Sequence, residues 1–260
     1  MYTYTVTKEV KMRRIGIIGG MSYESTLHYY ERINRQVSER VGGLASADLV
    51  LRSVNFEDYH KLMEKGDWAT IGRLLRAAAR NLFLENQCNY VAIATNTMHK
   101  VAEEITKPYT WMQHTGARAI RVEIPLVHIG DCIAKKCKEV GTKRVLLLGT
   151  KFTMTEDFMA KRLAQHGIEV MPVDDYPDEI EEINRIIFDE LCHGVVTAES
   201  KEFMMNFVYQ FPADSDIHPD AIILGCTELE MILKQDDIDI PLINSTQAHI
   251  DTLVDLCLEG

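Results

Sequence analysis

The sequence is short of basic side chains: 28 Lys and Arg stand against 39 Asp and Glu in 260 residues, a formal net charge of −11. That balance excludes a broad cationic surface for nucleic acid, because phosphate binding draws on clustered Lys and Arg. Long apolar runs are missing too. None approaches the roughly 18 residues needed to cross a bilayer, which excludes a membrane partner. Residues Met1–Val10 are polar and rich in Thr and Tyr, without the apolar stretch of a secretory leader. Residues 1–12 therefore read as an N-terminal arm. The six cysteines (Cys88, Cys132, Cys137, Cys192, Cys226 and Cys257) include no Cys-x-x-Cys and no close His/Cys pair. Neither a zinc site nor a disulfide framework is indicated. Such cysteines fit a reducing cytoplasm, most of them as small buried apolar side chains. What remains is ordinary globular material, 46% hydrophobic and 26% charged, enough for one large domain or two small ones.

Short apolar runs alternate with helical patterns from end to end. Strands are predicted near residues 14–20, 48–56, 90–97, 126–130, 144–150, 168–172, 221–227 and 241–246. Leu27, Tyr30, Ile33 and Val37 fall on one helical stripe, and Ile180, Ile183, Ile187 and Leu191 on another. Strands that are apolar on both faces, separated by amphipathic helices, imply an α/β protein with parallel sheets flanked by helices.

A weak internal repeat adds detail. The run IGIIGG at Ile15–Gly20 resembles VLLLGT at Val145–Thr150, and VAIATNT at Val91–Thr97 resembles AIILGCT at Ala221–Thr227. Gly19 precedes Thr95 by nearly the interval that separates Gly149 from Cys226. Each half closes on Ile-Pro-Leu, at Ile124–Leu126 and Ile240–Leu242. We therefore expect two pseudo-symmetric lobes, residues 13–125 with 242–260 and residues 126–241, with both Ile-Pro-Leu segments crossing between them and a last helix at Gln247–Leu258. Ligands of such sheets bind beyond the carboxyl ends of strands, where all four repeat motifs lie. The site is expected in the cleft between the lobes.

Three of these strand ends carry side chains with chemistry. The run Gly16–Gly20 is G-x-x-G-G rather than a dinucleotide fingerprint; Met21 and Ser22 after it face either an anion or the start of a helix, with Ser22 a plain cap in the second reading. Thr95, Asn96, Thr97 and His99 follow a buried strand. Their hydroxyl and amide groups serve either the next helix or a ligand carboxylate. Cys226, Thr227 and Glu228 hold the matching place in the second half. A thiol beside the first amides of a helix has its thiolate favoured, with Glu228 opposing; the other reading is a buried inert cysteine.

Together IGIIGGMSYEST, TNTMH and GCTEL resemble the aspartate/glutamate racemase family, the pyridoxal-independent amino-acid racemases, from about Arg14 to the C-terminus. The resemblance implies two α/β lobes around a small amino-acid substrate, no metal, no cofactor and a homodimer. It implies two bases on opposite faces of the α-carbon, usually cysteines. Here the second is Cys226, and the first position is Thr95, as in a subgroup that resembles racemases specific for L-aspartate or L-glutamate. By the same resemblance Asn96, Thr97 and Thr227 donate to the substrate carboxylate. Met21, Ser22, Thr150 and Glu228 complete the binding set, and Arg52 either meets the distal carboxylate or is a surface or interlobe salt-bridge residue. Glu182 replaces a lysine common in relatives. Because the retained Cys226 serves the L-face, L-substrates are expected to be favoured. The alternatives are a maleate- or hydantoin-type isomerase of the same fold, or a non-catalytic acidic amino-acid-binding protein.

Overall fold

Apolar strands flanked by amphipathic helices recur in two halves in the computed structural model, which describes residues 11–112, 119–212 and 218–259. Most of the expected N-terminal arm lies outside the described residues. The first half runs β1 (Ile15–Gly19), α1 (Tyr23–Val41), β2 (Leu49–Ser53), α2 (Phe56–Glu64), α3 (Trp68–Arg80), β3 (Tyr90–Ile93) and α4 (Ala102–Thr106), then an antiparallel pair, β4 (Tyr109–Met112) and β5 (Ala119–Val122). The second half runs α5 (Ile129–Val140), β6 (Arg144–Leu148), α6 (Lys151–Thr155), α7 (Asp157–Ala164), β7 (Glu169–Val170), α8 (Pro177–Arg185), α9 (Ala198–Gln210), β8 (Ala221–Leu224), α10 (Leu229–Ile232), β9 (Leu242–Asn244) and α11 (Ser245–Leu258).

Both main sheets are parallel. The first has the order β2-β1-β3, and the second β7-β6-β8-β9. Their inner strands are buried almost throughout (Ile15, Ile17 and Ile18 in β1; Val145 to Leu148 in β6; Ala221 to Leu224 in β8), as sheets covered on both faces require. The two Ile-Pro-Leu segments occupy matching positions. Leu126 makes a parallel bridge to Val91 of β3, and Leu242 pairs with Ile222 of β8. Each therefore borders the sheet it follows rather than crossing. The boundary expected at 242 falls inside the second sheet, and the chain leaves that sheet only at Ser245.

The crossing is made by the helices that come next. α5 follows the first half but packs into the second, where Ile129, Ile133 and Cys137 meet Val145, Leu147 and Ile223. α11 follows the second half but packs into the first, where Ile250, Leu253, Val254 and Cys257 meet Ile15, Ile17 and Tyr29. The two exchanged helices also pack on each other.

Local chemistry sets the element ends. Ser22 caps α1 by accepting from the Ser25 amide, Glu24 and Arg40 complement the helix dipole, and Gly42 ends the helix at φ 83°. The buried face of α1 is Tyr29, Ile33 and Val37, while Leu27 and Tyr30 are 57% and 56% exposed. The stripe expected through those two is one position out of phase: 29, 33 and 37 follow the i, i+4 row, and 27 and 30 lie on its flank. The other stripe (Ile180, Ile183, Ile187, Leu191) is buried as expected. The β4–β5 pair was not anticipated, although Tyr109, Thr110 and Trp111 favour strands.

Gly20 turns the chain out of β1 at φ 92°, and a Cβ there would meet the Val54 carbonyl oxygen at 2.2 Å. Gly20→Ala is expected to destabilise the fold by about 3 kcal/mol or more, read as a lower urea midpoint; an unchanged midpoint contradicts this account of the turn.

Candidate active site

The carboxyl ends of β1, β3, β6 and β8 point at one cavity of about 510 Å³, counting its open mouth. Met21, Ser22, Thr95, Asn96, Thr97 and Thr150 line it together with Cys226, Thr227 and Glu228. Nine of the ten residues expected from the sequence are thus brought together. The tenth, Arg52, is not. It lies in β2, at the edge of the first sheet, exposed and outside the cavity lining.

Glu228 organises the second-half side of the cavity. It is buried, with 6% of its surface accessible, and its two oxygens accept three hydrogen bonds. The Ser22 hydroxyl donates to Oε1 at 2.7 Å, and the Cys226 thiol and Thr227 hydroxyl donate to Oε2 at 2.9 and 2.6 Å. Ser22 belongs to the first half, so the carboxyl group also ties the halves together. The expectation of a favoured thiolate is reversed. Burial first, then the charge of Glu228 and the hydrogen bond to it, push the Cys226 thiol well above its usual range. The helix beyond it, α10, is only 4 residues long, so little dipole is available to offset this. Cys226 rests as a thiol aimed at a proton acceptor.

The first-half side is held differently. Asn96 donates through Nδ2 to Ser245 Oγ at 3.0 Å, and the Ser245 hydroxyl donates to the Leu224 carbonyl at 2.7 Å. The Asn96 Oδ1 atom is buried without a hydrogen-bond partner. Thr97, Thr150 and Thr153 form a triangle of hydroxyls with sides of 3.0, 3.2 and 3.2 Å, which joins the two halves a second time. Thr95 lines the cavity, and its carbonyl is fixed from behind by His99 Nδ1 at 2.9 Å. The Ile129 amide donates to His99 Nε2 at 3.2 Å, so Nδ1 carries the proton and both ring nitrogens are engaged. His99 therefore positions Thr95 and is not placed to carry a proton.

Reading the sequence missed most of the apolar lining. Phe56 and Met63 of α2, Ile187 and Phe188 of the segment 186–190, and Cys192 also line the cavity. Ile187 lies on the stripe already read as core; the other apolar residues had no motif to mark them. The rings of Phe56, His60 and Phe188 stand edge to face, with centroids 6.0 and 5.7 Å apart in succession, and so link α2 to the second half. Burial pushes the Cys192 thiol up to about 12, with Glu228 adding to the shift. Among the described residues no group of three or more His, Cys, Asp or Glu is arranged to hold a metal ion, and no helix is long and apolar enough to cross a membrane.

A family model described as Asp/Glu/hydantoin racemase matches residues 18–253, and the chain belongs to that family. It is similar to a candidate Asp/Glu racemase from Yersinia pestis, at 37% identity over 95% of this chain and 100% of that one, with a TM-score of 0.81. It is also similar to an aspartate racemase homologue from Pyrococcus horikoshii, at 33% identity over 95% and 99% of the two chains, with a TM-score of 0.72. An aspartate racemase from Picrophilus torridus, at 20% identity over 94% and 93% with a TM-score of 0.64, shares the fold. Family and fold together make this protein an amino-acid racemase, an isomerase acting on a small molecule.

Behind Thr95 three histidines lie ring against ring. His99 is 4.7 Å from His128 and 6.0 Å from His249 between centroids. Burial lowers all three from the usual 6.5, His99 to about 4, His249 to about 3 and His128 to about 2. The nearest charges, Asp131 and Arg162, are paired with each other. Below pH 6.5 the unfolded chain binds protons that the folded chain refuses, so stability is complete above that pH and is lost as pH falls from 6.5 toward 4. Each histidine that stays neutral contributes a slope of about 1.4 kcal/mol per pH unit. Urea unfolding between pH 8 and 4.5 is the measurement; equal stability at pH 7 and pH 5 contradicts the assignment.

Proposed function

We propose that the chain racemises an α-amino acid without a cofactor, with Cys226 as the base for the L-isomer and Thr95 on the D-face. The observation that carries this reading is the thiol of Cys226 donating to the buried Glu228, in a cavity that Thr95 also lines. Aspartate and glutamate, which the resemblance implies and the names of the structural relatives carry, are the reference substrates. A homodimer in the cytoplasm is part of the same reading, and sedimentation of the purified chain tests the dimer.

The chemistry follows from the hydrogen bonds. The Cys226 proton passes along its hydrogen bond to Glu228, leaving a thiolate and a neutral carboxylic acid. The thiolate then takes the α-proton, and the carbanion forms beside an uncharged Glu228 rather than a carboxylate. A permanently ionised thiol would leave two negative charges next to the developing one. This is why a raised thiol with a built-in acceptor suits the step better than a depressed one. We assign the orphan Oδ1 of Asn96 as the acceptor for the substrate ammonium. The hydroxyls of Thr97, Thr150 and Thr227 are assigned as donors to its carboxylate, where charge grows in the transition state. Met21 and Ser22 close the cavity from the first sheet. Reprotonation on the other face comes from Thr95 or water held by it, and the proton left on Glu228 returns through solvent to Thr95 to reset the pair. A threonine hydroxyl is a weak acid, so this is the slow step, and exchange of the L-isomer outruns net racemisation.

In deuterated buffer an L-substrate is expected to gain deuterium at Cα well before the D-isomer accumulates. Cys226→Ala is expected to lower exchange by about 10²–10⁴-fold, and Thr95→Cys to speed turnover of the D-isomer most. Full exchange in Cys226→Ala shows the base is misassigned, and thermal stabilisation by the amino acid with no exchange in the unaltered protein shows a binding protein instead.

Exchange that runs through the internal transfer from Cys226 to Glu228 is expected to stay flat through neutrality, because thiol beside carboxylate is already the resting pair. Glu228→Gln removes the group that accepts the proton, so the thiol must ionise to solvent. The rate near pH 7 is then expected to fall, and a climb with pH to appear. An unshifted pH–rate profile contradicts the role given to Glu228.

A further inference from the structure

We infer that the side-chain end of the cavity takes an uncharged, apolar amino-acid side chain in preference to a second carboxylate. The inference rests on the racemase reading and departs from aspartate and glutamate as preferred substrates of the same site.

The cavity has two kinds of wall. Hydroxyl, amide, thiol and carboxyl groups come from the strand ends, and they suffice for the ammonium and carboxylate that every α-amino acid carries. The remaining wall is apolar: Met21, Phe56, Met63, Met98, Ile187 and Phe188. Among the described residues lining the cavity there is no Lys, Arg or His; the ionisable groups are Cys192, Cys226 and Glu228. Arg52, the basic side chain expected at the site, stands outside it, and the arginine that follows Glu182 is committed elsewhere. Arg52 is exposed at the sheet edge. Arg185, one turn along from Glu182, forks onto Glu182 at 2.8 and 2.7 Å and reaches Glu190 at 2.9 Å.

A distal carboxylate entering this space loses its water and finds no cation. It also meets Glu228, a group of its own sign. Burial of an unpaired charge is strongly unfavourable, whereas an aliphatic or thioether side chain gains by leaving water. The apolar lining, opening to solvent at its mouth, is complementary to a methionine or leucine side chain rather than to a carboxylate.

The test compares kcat/KM for Cα deuterium exchange by the full-length protein with L-methionine, L-leucine, L-glutamate and L-aspartate. L-methionine or L-leucine is expected to exceed both acidic substrates by about tenfold or more. Faster exchange of L-glutamate or L-aspartate overturns the inference and leaves the racemase reading standing. Exchange with none of the four removes that reading and the inference with it. Phe188→Lys, on the half-buried end of the apolar wall, is expected to raise L-glutamate exchange about tenfold relative to L-methionine. An unchanged ratio in a folded variant shows that the substrate side chain does not reach this wall, which also overturns the inference.

Discussion

A carboxyl group buried between two halves of a protein must be met by donors, and much of the site follows from how Glu228 is met. Three side chains point their protons at it, Ser22 from the first half and Cys226 and Thr227 from the second. Ser22 also caps α1, so the start of that helix, the packing of the halves and the state of the thiol are coupled through one group. Were Glu228 absent, Cys226 would lose both the charge that keeps it protonated and the atom that receives its proton. The threonine triangle makes the second tie across the junction. Unlike Glu228 it carries no charge, so it holds the halves in register without adding to the field in the cavity.

The rear of the cavity is built on the opposite principle. His99, His128 and His249 are kept neutral by burial and engaged with backbone groups or Tyr29. A charged imidazole there would sit close to the Thr95 carbonyl and draw electron density toward the first-half face. A neutral one simply anchors the strand end.

Much of this was legible in the sequence because the informative residues cluster at strand ends. IGIIGG, VAIATNT, VLLLGT and AIILGCT mark four parallel strands, and parallel strands deliver their last residues to one edge. Nine of the ten residues expected at the site reach the cavity by that geometry. Arg52 also stands at a strand end, but β2 is an edge strand, and an edge gives its outer side chains to solvent. The direction of the Cys226 shift was not legible. It depends on the balance between burial and a helix of 4 residues, and neither quantity is written in a motif. The apolar wall was invisible for a different reason: Phe56, Met63, Ile187 and Phe188 have the composition and spacing of any core. β9 was placed on the wrong side of the boundary because Ile-Pro-Leu looked like a crossing when it is the last strand of its sheet.

The exchange of α5 and α11 reaches beyond the site. Each sheet is covered by a helix that the chain supplies after finishing the other sheet, so neither half owns a complete core. Cutting the chain between the halves would strip one apolar face from each piece, and a single cooperative unit extends over the whole molecule despite its duplicated plan. The two halves resemble separate domains in topology but share their cores, and a repeat of this kind cannot be shortened to one copy without a partner to return the missing helix.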